Sequence, residues 1–500
     1  MLPIYTGTQV REAETALIDA GWDQQLMRKA AWGLAQHTLV WLKRHSGIYG
    51  RRVLGLIGKG KNGGDTLWAL SFLAQRGVAV FAVPVDTAAD ALHTEAMMAF
   101  HRAGGRVVTT IDPATDAVID GVFGTGFRGS FNLPGYLADH NLEIPTTAGL
   151  IACDIPSGVN SDTGEIPGQA LPADLTVTFG ATKLGLRVGE GRQHAGEIHV
   201  VDIGISSALR AVTDPWWAAE QSDIQTVFGA PRWDAHKYSR GVLSIVAGSP
   251  EYPGAAVLVV NAAAATGVGY ISLLAQPPRG KAVSDKVLEA NPQVVVEDHV
   301  NEKATAVVVG PGLGGTVRGN DIAATAIQTA IQRNLPLLVD ASGLDILDRH
   351  VFSESIPAFV LTPHAGEMHR LTQRLAPDLA EQSTVEQAAA FAQRFGVWIV
   401  LKSADTFVLA PSGLHSVHSA TTSQLATAGT GDSLSGMLGA AMSALDSTAA
   451  DLRDQLFRAL VAGVRLHSLA GELAAADGGV VVSTLQTYIR KAKQRSAASS

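Results

Sequence analysis

Short apolar runs alternate with longer amphipathic segments along most of the chain. In the first half the apolar runs fall at residues 53–57, 78–83, 117–120, 150–154, 176–179 and 198–202. Runs of this length and composition are typical of strands, and the segments between them have the length and spacing of helices. The alternation predicts a parallel sheet with helices on both of its faces.

The alternation stops over residues 214–233, a segment that contains Pro215 and Pro231 and predicts irregular structure, and it restarts at Val242. The second half has apolar runs at 242–247, 306–309, 337–340, 359–361, 397–401 and 407–409, and it ends in helices near 432–445 and 449–476. No repeat period links the halves. We therefore predict two different α/β domains, over residues 1–215 and 225–500.

One uncharged stretch, residues 254–276, is long enough to cross a bilayer. It contains Asn261, Gln276 and several glycines, and residues 270–275 have the composition of a buried strand. We predict a helix of small residues that runs into a strand, and no association with membranes.

Composition and charge narrow the class of protein. The 500 residues are 46% hydrophobic and 17% charged, which is typical of a globular chain with more than one core. The 46 acidic side chains outnumber the 38 basic ones, so no general positive field attracts nucleic acid. The single cysteine, Cys153, cannot form a disulfide within the chain, and residues 1–14 lack the pattern of a signal peptide. We expect a cytoplasmic protein.

A glycine-rich turn, residues 58–65, follows the first predicted strand and leads into a predicted helix. Glycines let the backbone approach a ligand closely, and the free N–H groups at a helix N-terminus favour anions. The turn therefore predicts a phosphate site, although the packing of a doubly wound fold also requires glycine at such a turn. Both explanations remain open at this point.

Two more glycine-lined turns, 120–126 and 154–158, follow predicted strands. We expect them to converge with Asp65, Asp120 and Asp154 on one crevice at the carboxyl edge of the sheet. Carboxylate, hydroxyl and amide oxygens suit a hard monovalent or divalent cation. Alternatively one carboxylate is a base, because Asp154 follows a buried run where desolvation raises a carboxyl pKa, or a single aspartate only caps a turn.

Four motifs, DIPSGVNSDTG from Asp154, the NGGD turn from Asn62, DGVFGTG from Asp120 and ATKLGLRVGEG from Ala181, resemble the NAD(P)H-hydrate epimerase family over most of residues 1–210. The resemblance implies a Rossmann-like fold, a catalytic Asp154, and a potassium ion held by Asn62, Asp120 and Ser157. It also implies a hydrated nicotinamide nucleotide bound by Lys61, Asn62, Gly63, Gly64, Asp65, Gly124, Thr125, Gly126, Phe127, Arg128, Gly129, Ser130 and Asp154.

The chain departs from that family at two places. Lys61 stands where the family usually has asparagine, and Ala30-Ala31 stands where Ala-Gly is expected. Lys61 therefore puts a cation beside the expected potassium, or it pairs with a phosphate of the substrate.

In the second half, residues 428–432 read AGTGD and open a predicted helix. Glycines at 429 and 431 leave N–H groups bare at the positive helix end, where they stabilise charge on a transferring phosphoryl group. Asp432 can take a proton from an attacking hydroxyl, although an aspartate at a helix start is commonly only an N-cap. Both roles remain open for Asp432.

Further polar clusters accompany the apolar runs, and we expect each to lie at a strand end. They are HKYSRG at 236–241, GPGLG at 310–314, DASGL at 340–344, TPHAGEM at 362–368 and LKSADT at 401–406. His364 either caps the following helix or faces a ligand. Lys402 follows a buried run, which a bound phosphate explains better than a solvated edge position does.

This ordered set, with TAGTGDSLSG from Thr427, closely resembles the ADP- or ATP-dependent NAD(P)H-hydrate dehydratase family, over nearly all of residues 230–485. The resemblance implies a ribokinase-like α/β fold, Asp432 as the base, and Mg²⁺ brought with ADP or ATP. It implies hydrate binding by Ala255, Gly312, His364 and Asp432, and nucleotide binding by Lys402, Ser403, Ala404, Asp405, Thr406, Gly429, Thr430 and Gly431. Ala365, Ser403 and Ala428 depart from the residues usual in the family.

The two resemblances together imply a bifunctional repair enzyme. It epimerises the R and S hydrates of NADH and NADPH (NADHX and NADPHX), and it dehydrates the S form at the expense of ADP or ATP. We also expect a homo-oligomer. Two alternatives remain open: a small-molecule kinase of the vitamin-precursor type, and a dehydratase whose first domain is catalytically degenerate.

Overall fold

The computed structural model describes residues 1–45, 47–85, 93–211, 215–275, 281–314, 317–353 and 356–498, with the backbone alone at 317–320 and 498. The chain divides into two compact units. One spans Pro3–Trp216, and the other spans Trp217–Ser500 and includes Met1–Leu2.

Strands and helices alternate in the first unit. Its region contains the strands β1 (Leu2–Ile4), β2 (Arg52–Ile57), β3 (Ala79–Pro84), β4 (Arg106–Val107), β5 (Ala117–Gly121), β6 (Gly149–Cys153), β7 (Leu175–Phe179) and β8 (Glu197–Val201). The helices are α1 (Gly7–Asp19), α2 (Asp23–His45), α3 (Lys61–Ala74), α4 (Thr94–Arg102), α5 (Leu133–Asp139), α6 (Gly189–His194) and α7 (Ser206–Ala211), with a 3₁₀ turn at Leu184–Leu186.

Within the described part of this unit, seven strands form a parallel sheet in the order β4-β3-β2-β5-β6-β7-β8. The central strands β2, β5 and β7 are buried along nearly their whole length because both faces of the sheet are covered there. On β2, Val53 and Ile57 pack into one cluster with Leu34 of α2, whereas Leu54 packs on the other face with Leu133 of α5. Every strand predicted for this half is confirmed to within one residue at each end; the two-residue β4 was not predicted.

The second unit repeats the alternation with a different sheet. Its region contains β9 (Trp216–Ala218), β10 (Val242–Val246), β11 (Tyr270–Leu274), β12 (Val295–Glu297), β13 (Ala306–Val309), β14 (Leu337–Val339), β15 (Phe359–Leu361), β16 (Trp398–Leu401), β17 (Asp405–Leu409) and β18 (His415–Ser419). The helices are α8 (Gln221–Phe228), α9 (Pro253–Thr266), α10 (Lys281–Ala290), α11 (Val317–Gln332), α12 (Ala365–Leu375), α13 (Thr384–Phe395), α14 (Thr430–Ser443), α15 (Leu452–Ala476) and α16 (Leu485–Ala498). Shorter 3₁₀ segments are Ala341–Asp345, Arg349–Ser353, Pro377–Leu379 and Val482–Thr484.

The sheet of this unit has the strand order β18-β17-β16-β15-β14-β13-β10-β11-β12. Beyond β18 it continues with β9 and then β1, the two strands within which the chain divides into units. The pairings from β12 to β16 are parallel, and those of β16 with β17 and β17 with β18 are antiparallel. All predicted strands of this half are confirmed, although β17 begins at Asp405 rather than at residue 407. An α/β architecture with largely parallel sheets is therefore confirmed for both halves.

The prediction of irregular structure over 214–233 was wrong. Residue 214 lies outside the described residues, but the segment contains β9 and α8. Pro215 and Pro231 flank these two elements rather than interrupting them, and a capping box between Glu220 and Asp223 starts α8. The two prolines are therefore compatible with regular structure between them.

The uncharged stretch 254–276 forms most of α9 and then β11, as predicted; its last residue, Gln276, lies outside the described residues. Within the described part of the chain, one helix, α15, is long and apolar enough to cross a membrane by length and composition. Of its apolar window, 67% is buried inside the protein, which is ordinary for a core helix.

Candidate active sites

A cavity of about 610 Å³ lies in the first unit beside the carboxyl ends of β2, β5 and β6. Its lining includes these predicted site residues: Lys61, Asn62, Asp65, Gly124, Thr125, Gly126, Phe127, Arg128 and Asp154. The three glycine-lined turns therefore do converge, as the position of ligand sites in open α/β sheets predicts. At Gly124 the approach is so close that a Cβ atom would lie 2.4 Å from Oδ1 of Asn62.

Four of the residues predicted to bind the hydrated nucleotide are not among those that line this cavity. A Cβ on Gly63 would lie 1.9 Å from the carbonyl oxygen of Gly58, and one on Gly64 would meet the ring of His93 at 2.9 Å. These two glycines therefore serve the packing of the turn. Further along, Gly129 adopts a positive φ of 111°, and Ser130 donates to the carbonyl oxygen of Pro167 at 3.1 Å.

Asp154 forms an ion pair with Lys183 in the interior. Lys183 Nζ donates to Oδ1 of Asp154 at 2.5 Å, with side-chain exposures of 0% and 7% respectively. The same Oδ1 accepts from the backbone N–H of Phe179 at 3.1 Å and from the hydroxyl of Thr178 at 3.2 Å. Asp154 also has a φ of +68°, in the left-handed region. Desolvation of this carboxylate is therefore offset by the lysine, which the sequence interpretation had not assigned.

Two other carboxyl groups near Asp154 have raised pKa values. Burial raises the pKa of Asp65 well above its ordinary value, and the negative charges of Asp154 and Glu14 add to the rise. Asp65 Oδ1 is buried and has no hydrogen-bond partner among the described residues. Burial also raises the pKa of Glu14, on α1, although the positive charge of Lys183 opposes that effect. The desolvated carboxyl group expected at Asp154 is thus found at Asp65.

The three residues predicted to hold a cation lie together. Ser157 Oγ donates to Oδ1 of Asp120 at 2.6 Å, and the Ser157 N–H donates to Oδ2 at 2.8 Å. The Asn62 amide donates to the carbonyl oxygens of Phe123, at 2.9 Å, and Cys153, at 2.6 Å, and the Phe123 N–H donates to the Ser157 hydroxyl at 2.9 Å. The donor set is therefore one carboxylate with neutral oxygens, which fits a hard monovalent cation.

Lys61 does not point at that cluster. Its ammonium group pairs with Asp23 of α2 at 2.8 Å, and both side chains are about half exposed. Arg128 pairs with Asp162 at 2.9 Å and donates to the carbonyl oxygens of Thr125 and Phe127. Both cations therefore sit at the cavity with acidic partners already in place.

Helices α1 and α2 supply a wall of the cavity that sequence reasoning missed. Arg11, Glu14, Thr15 and Ile18 of α1 line it, as do several residues of α2 from Asp23 onward. The α1 residues recur at spacings of three and four, which puts them on one helix face. That spacing was readable in the sequence, but it does not by itself distinguish a ligand face from a packed one.

In the second unit, the GTGD turn starts α14. Gly429 occupies the N-cap position with a φ of +92°, and no side chain among the described residues caps the helix start. Burial raises the pKa of Asp432 to about 6, and the negative charge of Asp340 adds to the rise while Lys402 opposes it. A half-buried carboxyl group with this pKa is ionised at neutral pH and is a stronger base than an exposed aspartate.

Asp340 and Lys402 form a second interior ion pair beside Asp432. Lys402 Nζ lies 2.6 Å from Oδ1 of Asp340, and Ser435 of α14 donates to Oδ2 at 2.6 Å. A Cβ on Gly431 would lie 3.4 Å from Lys402 Nζ, so the ammonium group sits over the first turn of α14. Lys402 therefore lies at the anion-binding turn rather than at a solvated edge, and the buried Asp340 is a site residue that the sequence interpretation missed.

His364 caps α12, as one of its two predicted roles required. Its Nδ1 accepts hydrogen bonds from the N–H groups of Gly366 at 3.0 Å and Glu367 at 3.3 Å. The Glu367 carboxylate accepts a hydrogen bond from the His364 N–H. The ring remains about half exposed, and His364 and Lys402 form a backbone bridge. Capping and contact with a ligand in the crevice are thus compatible.

The remaining predicted residues lie in the turn between β16 and β17, in β17, in α9 and α14, and in the loop after β13. Ser403, Ala404, Asp405 and Thr406 occupy the turn between β16 and β17 and the start of β17, with the Ser403 hydroxyl bonded to the carbonyl oxygen of Asp405 at 2.5 Å. The Thr430 hydroxyl is directed inward, to the carbonyl oxygens of residues 425 and 427. Gly312 and Ala255 are in contact, since a Cβ on Gly312 would lie 2.3 Å from that of Ala255.

HKYSRG precedes a strand, as predicted, and therefore lies at the other end of its strand from the clusters that follow strands. Residues 236–241 precede β10 and lie at its amino end. Gly241 contacts Ser443, the last residue of α14, whereas the GTGD turn is at the first residue of that helix. The cluster is therefore at the opposite end of α14 from the crevice.

Comparison with known proteins gives a match for each half. The family model described as YjeF-related protein N-terminus matches residues 23–185, and the one described as NAD(P)H-hydrate dehydratase matches residues 243–495. These matches confirm that the two halves belong to different families and that the second half resembles the dehydratase family.

Relatives cover both halves together. The protein named bifunctional NAD(P)H-hydrate repair enzyme Nnr in Mycobacterium leprae (strain TN) is 37% identical over 482 residues, which are 95% of this chain and 94% of that protein. The protein of the same name in Mycobacterium tuberculosis (strain ATCC 25618 / H37Rv) is 38% identical over 87% of this chain and 88% of its own length. Among solved structures, the ADP/ATP-dependent NAD(P)H-hydrate dehydratase from Bacillus subtilis, co-crystallised with ATP and Mg²⁺, is 24% identical with a TM-score of 0.47, over 57% of this chain and 99% of that chain.

Proposed function

The chain belongs to the family of bifunctional NAD(P)H-hydrate repair enzymes, and from this premise we propose how its two sites divide the work. Residues 1–215 interconvert the R and S hydrates of NADH and NADPH. Residues 225–500 return the S hydrate to the reduced coenzyme with ADP or ATP as the phosphoryl donor. The alternative of a vitamin-precursor kinase is not favoured, because both halves match repair families.

The observation that carries this proposal is Asp432 at the first turn of α14, with a pKa raised to about 6 by burial. Its carboxylate takes the proton of the ring hydroxyl as that oxygen attacks the terminal phosphorus of the nucleotide. The N–H groups of Gly429, Thr430 and Gly431 stabilise the charge on the transferring phosphoryl group. Phosphate is a much better leaving group than hydroxide, so its departure and the loss of a ring proton restore the reduced nicotinamide.

Lys402 supports this turn from the side of the nucleotide. Its ammonium group lies against the first turn of α14 while Asp340 and Ser435 fix its position. We assign residues 402–406 and 429–431 to the nucleotide, and Ala255, Gly312, His364 and Asp432 to the hydrate. Mg²⁺ bound to the nucleotide would neutralise charge on its phosphates.

In the first unit, Asp154 is the proposed base and Asp65 the proposed acid. The hydroxyl of the hydrate is on the ring carbon next to nitrogen, so removal of its proton allows the ring to open and close again on the other face. Lys183 holds the Asp154 carboxylate in an ion pair, whereas burial raises the pKa of Asp65 and so favours a carboxyl group that can donate a proton. Two carboxyl groups in different environments are a recurrent acid–base arrangement.

Residues Asn62, Asp120 and Ser157 fit a potassium ion, with the carbonyl oxygen of Phe123 adjacent to them. A bound cation would contribute positive charge near the phosphates of the substrate. Asp120 is buried at 3% exposure, and the two bonds from Ser157 already hold its carboxylate in place. The cluster thus connects the turn that follows β5 to the turn that follows β6.

We further propose a cytoplasmic enzyme that acts as a homo-oligomer. Cys153 is buried and unbridged, which is compatible with a reducing compartment. Light scattering of the purified chain measures the oligomeric state, and a monomer at working concentration would contradict that part.

The test of the proposed function is incubation of NADHX, as mixed epimers, with ADP, with ATP, or without nucleotide. Recovery of the absorbance of reduced coenzyme should require a nucleotide and should go to completion. A stable phosphorylated product without recovered absorbance would indicate a kinase instead. Recovery that stops partway would indicate that the first unit does not epimerise the substrate.

A further inference from the structure

A second cavity, of about 570 Å³, lies in the second unit at the amino ends of β10 and β11. It is lined by the loop after α8, by His236, Ser239 and Arg240 of the HKYSRG motif, and by residues at the carboxyl ends of α9 and α14. Helix α14 has 14 residues, so its length separates this cavity from the GTGD turn by about 20 Å. The proposed dehydration gives this cavity and the motif no role.

Two cationic side chains meet at one wall of this cavity. Arg240 Nη2 donates to the carbonyl oxygen of Gly267 at 2.7 Å, and Lys493 Nζ donates to that of Thr266 at 2.5 Å. A Cβ on Gly267 would lie 3.5 Å from Arg240 Nη2 and 3.2 Å from Lys493 Nζ, so the two nitrogen atoms lie close to the same point. Each side chain uses one of its several donors in these bonds, which leaves others available.

The charge of this pair is not balanced by an acidic side chain. None of the ion pairs found among the described residues includes Arg240 or Lys493. Burial lowers the pKa of Lys493, and the neighbouring Arg240 lowers it further. An anion between the two would remove this repulsion.

Stabilisation of the carboxyl end of α9 is a simpler explanation for these cations, and it accounts for part of the arrangement. A cation at a helix C-terminus contributes about 0.3–1 kcal/mol, and Gly267 ends α9 in the left-handed conformation. This explanation requires neither a second cation nor an open cavity of this volume. Stabilisation of α9 also assigns no role to His236.

His236 supplies a further donor to the same cavity. Its Nδ1 accepts the N–H of Ser239 at 3.1 Å, so the neutral ring carries its proton on Nε2. The Ser239 hydroxyl in turn accepts the N–H of His236 at 2.9 Å, which fixes the turn. Arg232, on the loop after α8, is already paired with Asp234 and adds no net charge.

We propose that this cavity is a second anion site, which binds the phosphate group of a small molecule between Arg240 and Lys493 with His236 as an additional donor. The ligand is either inorganic phosphate or a phosphorylated metabolite, and both present the same group to the two cations. The proposal is independent of the repair reaction, since it uses no residue of either crevice.

The experiment is calorimetric titration of the whole chain with inorganic phosphate and, separately, with ADP. The wild type, the double variant Arg240→Gln/Lys493→Gln, and Lys402→Gln are compared. The matched control is Lys237→Gln, a lysine of the same motif whose ammonium group lies over the ring of Tyr238 and which does not line the cavity. We expect the double variant to lose one binding event, or to weaken it at least tenfold, while Lys402→Gln and Lys237→Gln retain it.

Loss of that event with inorganic phosphate identifies the free anion as a ligand, and loss seen only with ADP identifies the phosphate of a larger molecule. Equal binding by wild type and double variant, with both ligands, overturns the proposal. Loss in Lys402→Gln alone overturns it as well, because the binding then belongs to the crevice. If the double variant does not fold, Lys493→Gln and the charge-retaining Arg240→Lys are compared, and the first alone should weaken binding.

Discussion

Lys183 donates a hydrogen bond of 2.5 Å to Asp154, and neither side chain has more than 7% exposure. A buried charge without its partner is costly, so the two residues depend on each other. The pair also links the ATKLGLRVGEG motif to the DIPSGVNSDTG motif, since Lys183 is on the first and Asp154 begins the second. This pair therefore affects both the stability of the first unit and its proposed chemistry.

Replacing either member of the pair should destabilise the first unit more than replacing both. We expect Asp154→Asn and Lys183→Met each to lower the free energy of unfolding by about 3 kcal/mol, and the double variant to cost less than their sum. Chemical denaturation of the three variants measures this coupling. Additive losses would mean that the two charges do not interact in the folded protein.

Asp154→Asn should also stop epimerisation while dehydration of the S hydrate continues. With mixed epimers and excess ATP, recovery of reduced coenzyme should stop partway, apart from slow spontaneous epimerisation. Pure S hydrate serves as the control, and it should be consumed at the wild-type rate. Complete recovery from the mixture would exclude Asp154 as the base.

Asp65→Asn tests the acid of the first unit. Burial raises the pKa of Asp65 well above its ordinary value, and asparagine has the shape and charge of the protonated form that this shift favours. We expect the free energy of unfolding to change by less than about 1 kcal/mol, whereas the epimerisation rate falls by about 10²-fold. Chromatographic separation of the two epimers, without nucleotide, measures the rate. An unchanged rate would leave Asp65 with a binding role only.

Asp432→Asn should abolish nucleotide-dependent dehydration, with a loss of about 10²–10⁴ in rate. In the wild type the rate should rise with pH through about 6, where the carboxyl group loses its proton. The raised pKa also means that the folded state binds a proton more readily than the unfolded state between pH 4 and 6. Stability from this group is therefore lost as pH rises through that window, and at pH 8 the variant should unfold at a higher temperature than the wild type. Near-wild-type turnover would exclude Asp432 as the base.

Lys402→Ala should raise the concentration of nucleotide that half-saturates the enzyme more than it changes that of the hydrate. It also removes the positive charge that opposes the rise in the pKa of Asp432, so the midpoint of the pH–rate profile should move upward. Lys281→Ala, an exposed lysine on α10, is the control. Weaker hydrate binding with unchanged nucleotide affinity would contradict the assignment of Lys402 to the nucleotide.

The strands were predictable because each is a short apolar run bounded by glycine or proline, and burial on both faces leaves no other assignment. Segment 214–233 was not, since two prolines carry the same local signal whether they interrupt an element or flank it. β18 (His415–Ser419) was also missed, because its polar residues have no apolar run and the strand depends on pairing with β17.

The site was predictable where a motif lies at a strand end. Asp154 and Asn62 line the cavity of the first unit, Asp120 bonds to Ser157 and to Val122 beside it, and Asp432 and Lys402 lie at the first turn of α14. Their partners were not, because tertiary distance is invisible in one sequence: Lys183 is 29 residues from Asp154, and Asp340 is 62 residues from Lys402. The position of HKYSRG before β10 could also be predicted from the sequence, because the motif directly precedes an apolar run.

The left-handed backbone at Asp154 has a consequence for laboratory evolution. A glycine at this position would adopt the same φ of +68° without the penalty that a side chain pays, which is about 1 kcal/mol. A library of this chain screened only for survival of heating would therefore enrich Asp154→Gly together with a replacement of Lys183. It would also favour asparagine at position 432, because the buried, ionised Asp432 carboxylate destabilises the folded state. Heat-resistant clones that lack Asp154 would lose epimerisation and those that lack the Asp432 carboxylate would lose dehydration, so any screen must select for turnover in every round.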